Sequence, residues 1–242
     1  MSSQVLGNFI AAMVLGKTNP VIYYSVMGAF AFSSSFLFLV LKKPLRNLDD
    51  SYKDLMKTNE LPANQPDFKR DIGDTIRLAL TKRMMHVFPM IIQCALSITA
   101  FSGMFVSLMT KTMVNFEWES NRQTQMAMLA MIALGFGEIF GALLSGRVID
   151  RFGKKAGVLL VVILMIVAFG FLFLVVILYE FNAATFFMTF FWGLYDSSLN
   201  NMLNCIYGFE FDSKILPFSV SKLVKSLFIF GSLMLATLVK DR

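Results

Sequence analysis

The amino-acid sequence predicts an all-α fold: a polytopic bundle of transmembrane helices with about seven spans. Hydrophobic residues make up 56% and charged residues 16% of the 242 residues, whereas a soluble domain is about 45–50% apolar and about 25% charged. The apolar residues are gathered into blocks of about 20 residues with almost no charge, which is the length of helix that crosses a bilayer. A soluble globular enzyme, a disordered tail and a disulfide scaffold are thereby excluded.

Each apolar block is expected to form one helix. The first is too short to span comfortably, since its 13 residues of helix cover roughly 20 Å. Gly16 to Pro20 is predicted to be a tight turn, so that residues 1–41 form a two-helix hairpin, and Pro20 suits the first turn of the second helix. The blocks cover 4–16, 20–41, 84–110, 124–146, 156–179, 183–209 and 215–239.

The only long polar stretch, 42–83, holds ten Lys or Arg and seven Asp or Glu residues. Its first part, to Pro66, is predicted to be a linker. Its second part, 67–83, is predicted to be an amphipathic helix at the membrane surface, either a solvated connection or a partner-binding element. The apolar positions of this helix recur every four residues at Phe68, Ile72, Ile76 and Leu80.

The basic residues predict the orientation in the membrane. Of the 22 Lys and Arg residues, ten lie in 42–83 and four in the loop 147–155, and both loops fall on the same side if the spans alternate. The positive-inside rule places that side in the cytosol or its equivalent, with the N-terminus inside and the C-terminus outside. The net charge of +6 therefore reflects topology and does not indicate nucleic-acid binding.

The sequence offers no catalytic, cofactor or metal site. It contains one histidine, His86, and its two cysteines, Cys94 and Cys205, lie inside apolar runs with no metal-ligand spacing. No nucleophile–base constellation and no phosphate-binding loop is present in the sequence. We therefore expect a protein that is not an enzyme, with other integral membrane proteins and lipids as partners, in a larger membrane complex.

One loop carries a specific motif. Gly146 is expected to allow two helices to approach closely, Gly153 to reverse the chain, and Asp150 to accept hydrogen bonds from a neighbouring helix N-terminus. A generic positive-inside hairpin explains the basic residues but not the spacing of Gly, Asp and Gly. The motif resembles the signature loop of the major facilitator superfamily, Gly-x-x-x-Asp-Arg-x-Gly-x-Lys/Arg. The signature-loop residues are Gly146, Asp150, Arg151, Gly153, Lys154 and Lys155.

This resemblance implies a partial major-facilitator fold. That fold has twelve helices, one such loop in each half, and a long inner loop between the halves. The stretch 42–83 looks like the central loop, which makes 1–41 a remnant of the N-terminal half and 84–242 a five-helix C-terminal half. On that alignment the chain resembles helices five to eleven, without helices one to four and twelve.

Further stretches are similar to one branch of the superfamily, the uncoordinated-ninety-three family of ion-channel regulatory proteins. Members of that family regulate a potassium channel or escort innate-immune receptors, so the resemblance implies an accessory or regulatory subunit. The stretches are Ser3-Gln4-Val-Leu-Gly7-Asn8, Asp74-Thr75-Ile-Arg77 before Lys82-Arg83-Met84, Phe101-Ser102-Gly103, Gly135-x-Gly137-Glu138-x-x-Gly141, Trp192-Gly193-Leu-Tyr-Asp196 with Asn200, and Pro217-Phe218 with Lys222.

Ionisable residues inside the spans are the candidate site residues, because charges in a membrane mark sites by default. Glu138 and Lys222 lie about 12 Å from the inner ends of their helices, and Asp196 and Lys225 lie about 15–20 Å from them. These depths predict two pairs of oppositely charged residues at matching depths, Glu138 with Lys222 and Asp196 with Lys225. At least one of them is expected to be a buried pair.

A polar stripe on one helix consists of Asp196, Asn200 and Asn204, at spacings of four. A transporter would use Asp196 or Glu138 to couple a proton or an ion. Interhelical packing hydrogen bonds, worth about 0.6 kcal/mol each, are the favoured explanation.

A second helix carries small residues at spacings of four, which predicts a helix-packing seam. Its members are Gly137, Gly141 and Ser145.

Two functions remain open from the sequence. The first is a non-enzymatic accessory subunit. Alternating access in this superfamily needs two six-helix halves that rock against each other, whereas this chain resembles two helices of one half and five of the other. The second is a secondary transporter of a small solute or ion, if the chain is a fragment of a longer protein. For the signature loop, we expect Asp150→Asn to lower the thermal stability.

Overall fold

The computed structural model describes residues 2–15, 25, 28–29, 32–33, 68–114, 116, 118–211 and 215–240. Met1–Lys17 and Asp74–Arg242 form one compact unit, which is the unit described below. The turn Gly16 to Pro20, nearly all of the predicted second span and the linker to Pro66 lie outside the described residues, so the predicted domain boundaries stay predictions.

The described elements are helical, and the prediction of an all-α bundle is confirmed. By length and composition, three stretches are long and apolar enough to cross a membrane: Lys82–Thr112, Ser120–Leu178 and Leu216–Leu238. The elements are α1 (Ser2–Leu15), α2 (Phe68–Ala79), α3 (Lys82–Thr99), a π-helix (Ala100–Met104), α4 (Phe105–Thr112), α5 (Ser120–Leu178), α6 (Ala183–Glu210) and α7 (Leu216–Lys240).

Helix α5 contains two predicted spans. Its 59 residues correspond to about 88 Å of helix, far more than a bilayer is thick. The helix is broken at Gly153, where φ is 81° and ψ is 178°, a conformation that glycine adopts without a Cβ penalty. We name the two parts α5a (120–152) and α5b (154–178).

The contacts with α6 show that the chain reverses at this break. Along α5a, glycines 137 and 141 lie against residues 190 and 194 of α6, so the two helices run in the same direction. Along α5b, Gly157 lies near Met202, whereas Phe171 stacks on Phe187 with ring centroids 5.9 Å apart, so these two run in opposite directions.

Helix α6 is the most buried helix of the unit. Every residue from 192 to 199 is buried, which covers two full turns and therefore all sides of the helix. Side chains at the middle of α6 consequently contact other helices instead of lipid, and polar side chains there need partners from those helices.

The close contact between α5a and α6 explains how α6 is held. A Cβ atom at Gly137 would collide with the carbonyl oxygen of Phe190, and one at Gly193 would collide with the carbonyl oxygen of Leu134. Both backbones therefore touch directly, as in other membrane helix pairs with small residues at their interface. The predicted seam residue Gly141 faces the same helix, since a Cβ there would lie 2.5 Å from the carbonyl oxygen of residue 194.

Polar side chains extend the seam toward the end of α5a that carries the signature loop. The buried Ser145 accepts a hydrogen bond of 2.9 Å from the Nδ2 of Asn201, which also donates to the carbonyl oxygen of Ala142 at 3.1 Å. Asn201 was not among the residues singled out in the sequence.

Helix α1 packs on the N-terminal half of α5a. The Nδ2 of Asn8 donates to the carbonyl oxygen of Met131 at 3.2 Å, and Gly135 lies directly against Val5. The first helix is thus part of the same compact unit as the five-helix segment.

Helix α2 covers most of the predicted amphipathic stretch. Ile72, Ile76 and the following Leu80 are exposed, and Leu78 and Ala79 pack against the core. The placement of this helix at the membrane surface stays a prediction.

The seam makes a prediction about stability. Gly193→Ala should lower the free energy of unfolding by about 1–3 kcal/mol, because the added methyl group forces two backbones apart. Gly208→Ala, in the same helix, should be neutral or stabilising by up to about 1 kcal/mol, since a Cβ there meets nothing within 4 Å. The thermal midpoint of the detergent-solubilised chain measures both effects, and equal midpoints for the two variants would contradict the close contact.

Candidate functional site

Four polar side chains from three helices meet at the centre of the unit. Cys94 of α3 donates from its Sγ to the Oδ1 of Asn200 at 3.2 Å, and the Nζ of Lys225 on α7 donates to the same oxygen at 3.1 Å. The Nδ2 of Asn200 donates to the Oδ2 of Asp196 at 3.0 Å. We call Cys94, Asp196, Asn200 and Lys225 the Asn200 cluster.

Asp196 is the buried carboxylate of the Asn200 cluster. Asp196 is only 5% exposed, and its Oδ1 makes no hydrogen bond of normal geometry among the described residues, while the Ser97 hydroxyl group on α3 lies close enough to interact with the carboxylate. The backbone carbonyl of Asp196 accepts a second bond from Asn200 at 3.0 Å. A buried oxygen without a partner costs on the order of 1–3 kcal/mol, and buried polar groups are rarely left in this state without a functional reason.

The two predicted pairs of charged residues have different surroundings in the structure. Asp196 and Lys225 are linked through Asn200, which accepts from the lysine and donates to the carboxylate. Glu138 is buried on α5a, while Lys222 is exposed, and a pairing between them stays a prediction. The third residue of the polar stripe, Asn204, is exposed.

Helix α3 contributes polar side chains that the sequence analysis missed. The indole Nε1 of Trp192 donates to the Oγ of Ser97 at 3.1 Å, and the Trp192 ring lies 4.8 Å from Phe105 and 5.1 Å from Phe169. Gln93 donates to the Sδ of Met165. The available signal was the spacing of residues 93, 94 and 97 on one face of an otherwise apolar helix.

The arrangement can hold and move charge between helices. A carboxylate on α6 and an ammonium group on α7 bind the same amide, that of Asn200. Its nitrogen donates to the carboxylate and its oxygen accepts from the ammonium group. The unpartnered Oδ1 of Asp196 is available to a proton or to a small cation. A change at Asp196 would therefore alter the contact between α6 and α7.

The signature loop forms an ionic contact at one end of the bundle. Lys154 binds the Oε1 of Glu210, and Arg83 Nη2 lies 3.4 Å from its Oε2. Arg83 also lies 5.7 Å above the ring of Phe211. Glu210, which the sequence analysis did not single out, thereby joins the ends of α3, α5b and α6.

Other expectations about the signature loop need correction. Asp150 and Lys155 are exposed, and within the described residues Asp150 makes no hydrogen bond to a helix N-terminus. A Cβ at Gly146 meets nothing within 4 Å, so the close helix approach expected there is not formed in the described part of the chain. Arg151 lies over the ring of its neighbour Phe152, at 5.5 Å.

The contact at Glu210 makes a prediction about pH. The hydrogen bond and charge of Lys154, aided by Arg83, lower the pKa of the Glu210 carboxyl below its ordinary value. The folded state therefore gains stability above the ordinary pKa of glutamate and loses it as the pH falls through the lowered pKa. Glu210→Gln should lower the thermal midpoint at neutral pH, by an amount that disappears in acid and shrinks at high salt.

Asp150→Asn is the matched control for that measurement. The sequence analysis expected it to lower stability, but the exposed position of Asp150 makes its effect smaller than that of Glu210→Gln. A larger loss of stability for Asp150→Asn than for Glu210→Gln would contradict the assignment of the ionic contact to Glu210.

The comparison with known families agrees with this architecture. The family model of the Major Facilitator Superfamily matches residues 1–208, a range that includes α1, the signature loop and most of α6. No curated protein and no solved structure matches the chain. Because the matched range is most of the sequence, the chain is an integral membrane protein that belongs to the major facilitator superfamily.

Proposed function

We propose that the chain is part of a secondary transporter for a small solute or ion, with Asp196 as the group that couples transport to a proton or cation. The observation that carries this proposal is a buried carboxylate with one unpartnered oxygen, linked through Asn200 to a lysine on another helix. Intramembrane ionisable residues usually face the protein interior and mark ion or substrate pathways.

The depth of Asp196 supports the proposal. Asp196 lies 13 residues from the first and 14 from the last residue of α6, or about 20 Å from each end. Transporters bind substrates and coupling ions near the bilayer midplane. Asp196 is thus at the depth where a coupling group acts.

The energetic cost of the Asn200 cluster also supports a functional role over packing alone. Apolar side chains of similar volume are often as stabilising as a buried charged group, or more so. Simple packing between α6 and α7 is already provided by a bond of 2.8 Å between the hydroxyl groups of Tyr207 and Ser221. A carboxylate and a lysine are not needed to hold these two helices together.

Proton movement in proteoliposomes tests the proposal. The full chain is reconstituted with a trapped pH-sensitive dye, and a potassium diffusion potential drives the flux. Asp196→Asn should abolish the proton flux, because the amide cannot carry the proton, and Lys225→Gln should lower it. Lys222→Gln, which removes an exposed lysine on the same helix, should leave the flux unchanged.

A flux that is equal in wild type and Asp196→Asn would contradict the coupling role. Equal losses in Lys222→Gln and Lys225→Gln would likewise assign the effect to general charge and not to the Asn200 cluster.

A second candidate is an accessory or regulatory subunit of the uncoordinated-ninety-three type. It is supported by the stretches around Gly137, Trp192 and Lys222 that resemble that family. Purification from the native membrane under mild conditions distinguishes the two functions. A stoichiometric complex with other membrane proteins, together with no flux in any variant, would favour the accessory role.

A further inference from the structure

A cavity of about 790 Å³ opens between α3, α5b and α6, beside the Asn200 cluster. This volume is within the range of roughly 300–1,000 Å³ that is typical of small-molecule sites. Most of its lining is apolar, and the residues that matter for its chemistry are Gln93, Ser97, Phe169, Gly170, Trp192 and Tyr195.

The cavity extends from the middle of the helices toward the end opposite the signature loop. Gln93 lies 11 residues from the first residue of α3, or about 16 Å along the helix. Phe173 lies 19 residues beyond Lys154, or about 28 Å from the inner end of α5b. Tyr195 adjoins Asp196 at the middle of α6.

The mouth of the cavity is lined by exposed apolar side chains on candidate membrane spans. At its edge, Leu96 is 49%, Ile166 is 63% and Phe173 is 64% exposed, and all three belong to membrane-spanning stretches. An apolar cavity with so few polar groups does not hold ordered water. Its occupant therefore enters from the bilayer.

The inner wall of the cavity is polar but carries no charge among the described residues that line it. The indole N–H of Trp192 already has an acceptor, the Oγ of Ser97 at 3.1 Å, and the Ser97 hydroxyl group interacts in turn with the Asp196 carboxylate. Gln93 donates to the thioether of Met165, which is a weak acceptor. Gln93 also lies within hydrogen-bonding reach of the Tyr195 hydroxyl group, and a hydroxyl oxygen of a ligand would replace the thioether as an acceptor for its amide group.

The remaining wall is aromatic and preorganised. Trp192 is fixed by its bond to Ser97 and by the rings of Phe105 and Phe169, whose centroids lie 4.8 Å and 5.1 Å away. Rigid ring surfaces of this kind favour a rigid apolar ligand, because little conformational freedom is lost on binding.

We propose that this cavity binds a sterol, with the ring system against Trp192 and Phe169 and the hydroxyl group at Gln93. A charged lipid headgroup is excluded by the depth of the polar wall and by the lack of a countercharge on it. An ordinary acyl chain would fill the space but offers no group to Gln93. The inference is independent of the proposed transport function.

Energy transfer from Trp192 tests the proposal. The chain has two tryptophans, so Trp118→Phe leaves Trp192 as the only donor, at the wall of the cavity. Dehydroergosterol, which absorbs at the wavelength of tryptophan emission, is titrated into nanodiscs that contain the full chain. The expected result is saturable transfer that cholesterol competes away, and that cholestane, which lacks the hydroxyl group, competes away about fivefold less effectively.

Two glycines provide matched variants in the same background. A Cβ meets nothing within 4 Å at either Gly170, in the cavity, or Gly208, outside it. Gly170→Leu should weaken the saturable transfer, because the added side chain projects into the cavity and narrows it, whereas Gly208→Leu should retain the transfer. Gln93→Leu should weaken sterol binding about fivefold, the effect of one lost hydrogen bond. Thermal midpoints identify any variant that fails to fold, and Gly170→Ala then replaces Gly170→Leu with a partial loss expected.

Three outcomes would overturn the proposal. Transfer that never saturates would mean that sterol is only dissolved in the surrounding lipid. Equal transfer in the Gly170 and Gly208 variants would place the sterol elsewhere on the chain. Equal competition by cholesterol and cholestane would show that the cavity accepts any apolar filler, including an acyl chain, without recognising a hydroxyl group.

Discussion

The direct backbone contact between α5a and α6 is the constraint on which the rest of the structure depends. In a bilayer, lipid tails are as apolar as leucine, so helices associate through close packing and polar contacts. Gly137 and Gly193 allow the two backbones to touch, and Ser145 extends the contact with a hydrogen bond from Asn201. This contact makes α6 the buried central helix and determines which of its side chains face the protein.

The burial of α6 in turn dictates the polar chemistry of the interior. Asp196 lies at the middle of a buried helix, so its hydrogen-bond partners come from α6 itself and from the helices around it. Asn200 serves this purpose because an amide donates and accepts at once: it binds the carboxylate on its own helix and both Cys94 and Lys225 on two others. One amide thereby joins three helices at the centre of the unit, which a direct ion pair would not do.

Sequence patterns predicted those features that depend on spacing along one helix. The apolar blocks predicted the helices. The spacing of the glycines at 137 and 141 predicted a packing seam, and both glycines lie against α6. Features that depend on contacts between distant segments were not predictable in this way. The ionic partner of the signature loop is Glu210, 56 residues from Lys154, while the expected residue Asp150 is exposed. Asn200 was predicted as part of the polar stripe, but its position between Asp196 and Lys225 was not, because depth in the membrane shows which charges share a level but not which helices are neighbours.

The Asn200 cluster and the cavity share one wall, and this follows from helix geometry. Cys94 and Ser97 are three residues apart on α3, while Trp192 and Asp196 are four apart on α6, so each pair occupies successive turns of one helix face. Cys94 contacts the cluster, and Ser97 with Trp192 forms the cavity wall. The polar residues of α3 thus line two adjacent environments, one charged and enclosed, the other neutral and open to lipid. A rotation of α3 against α6 large enough to break one set of contacts would break the other, because both sets lie within about one turn of the same two helices.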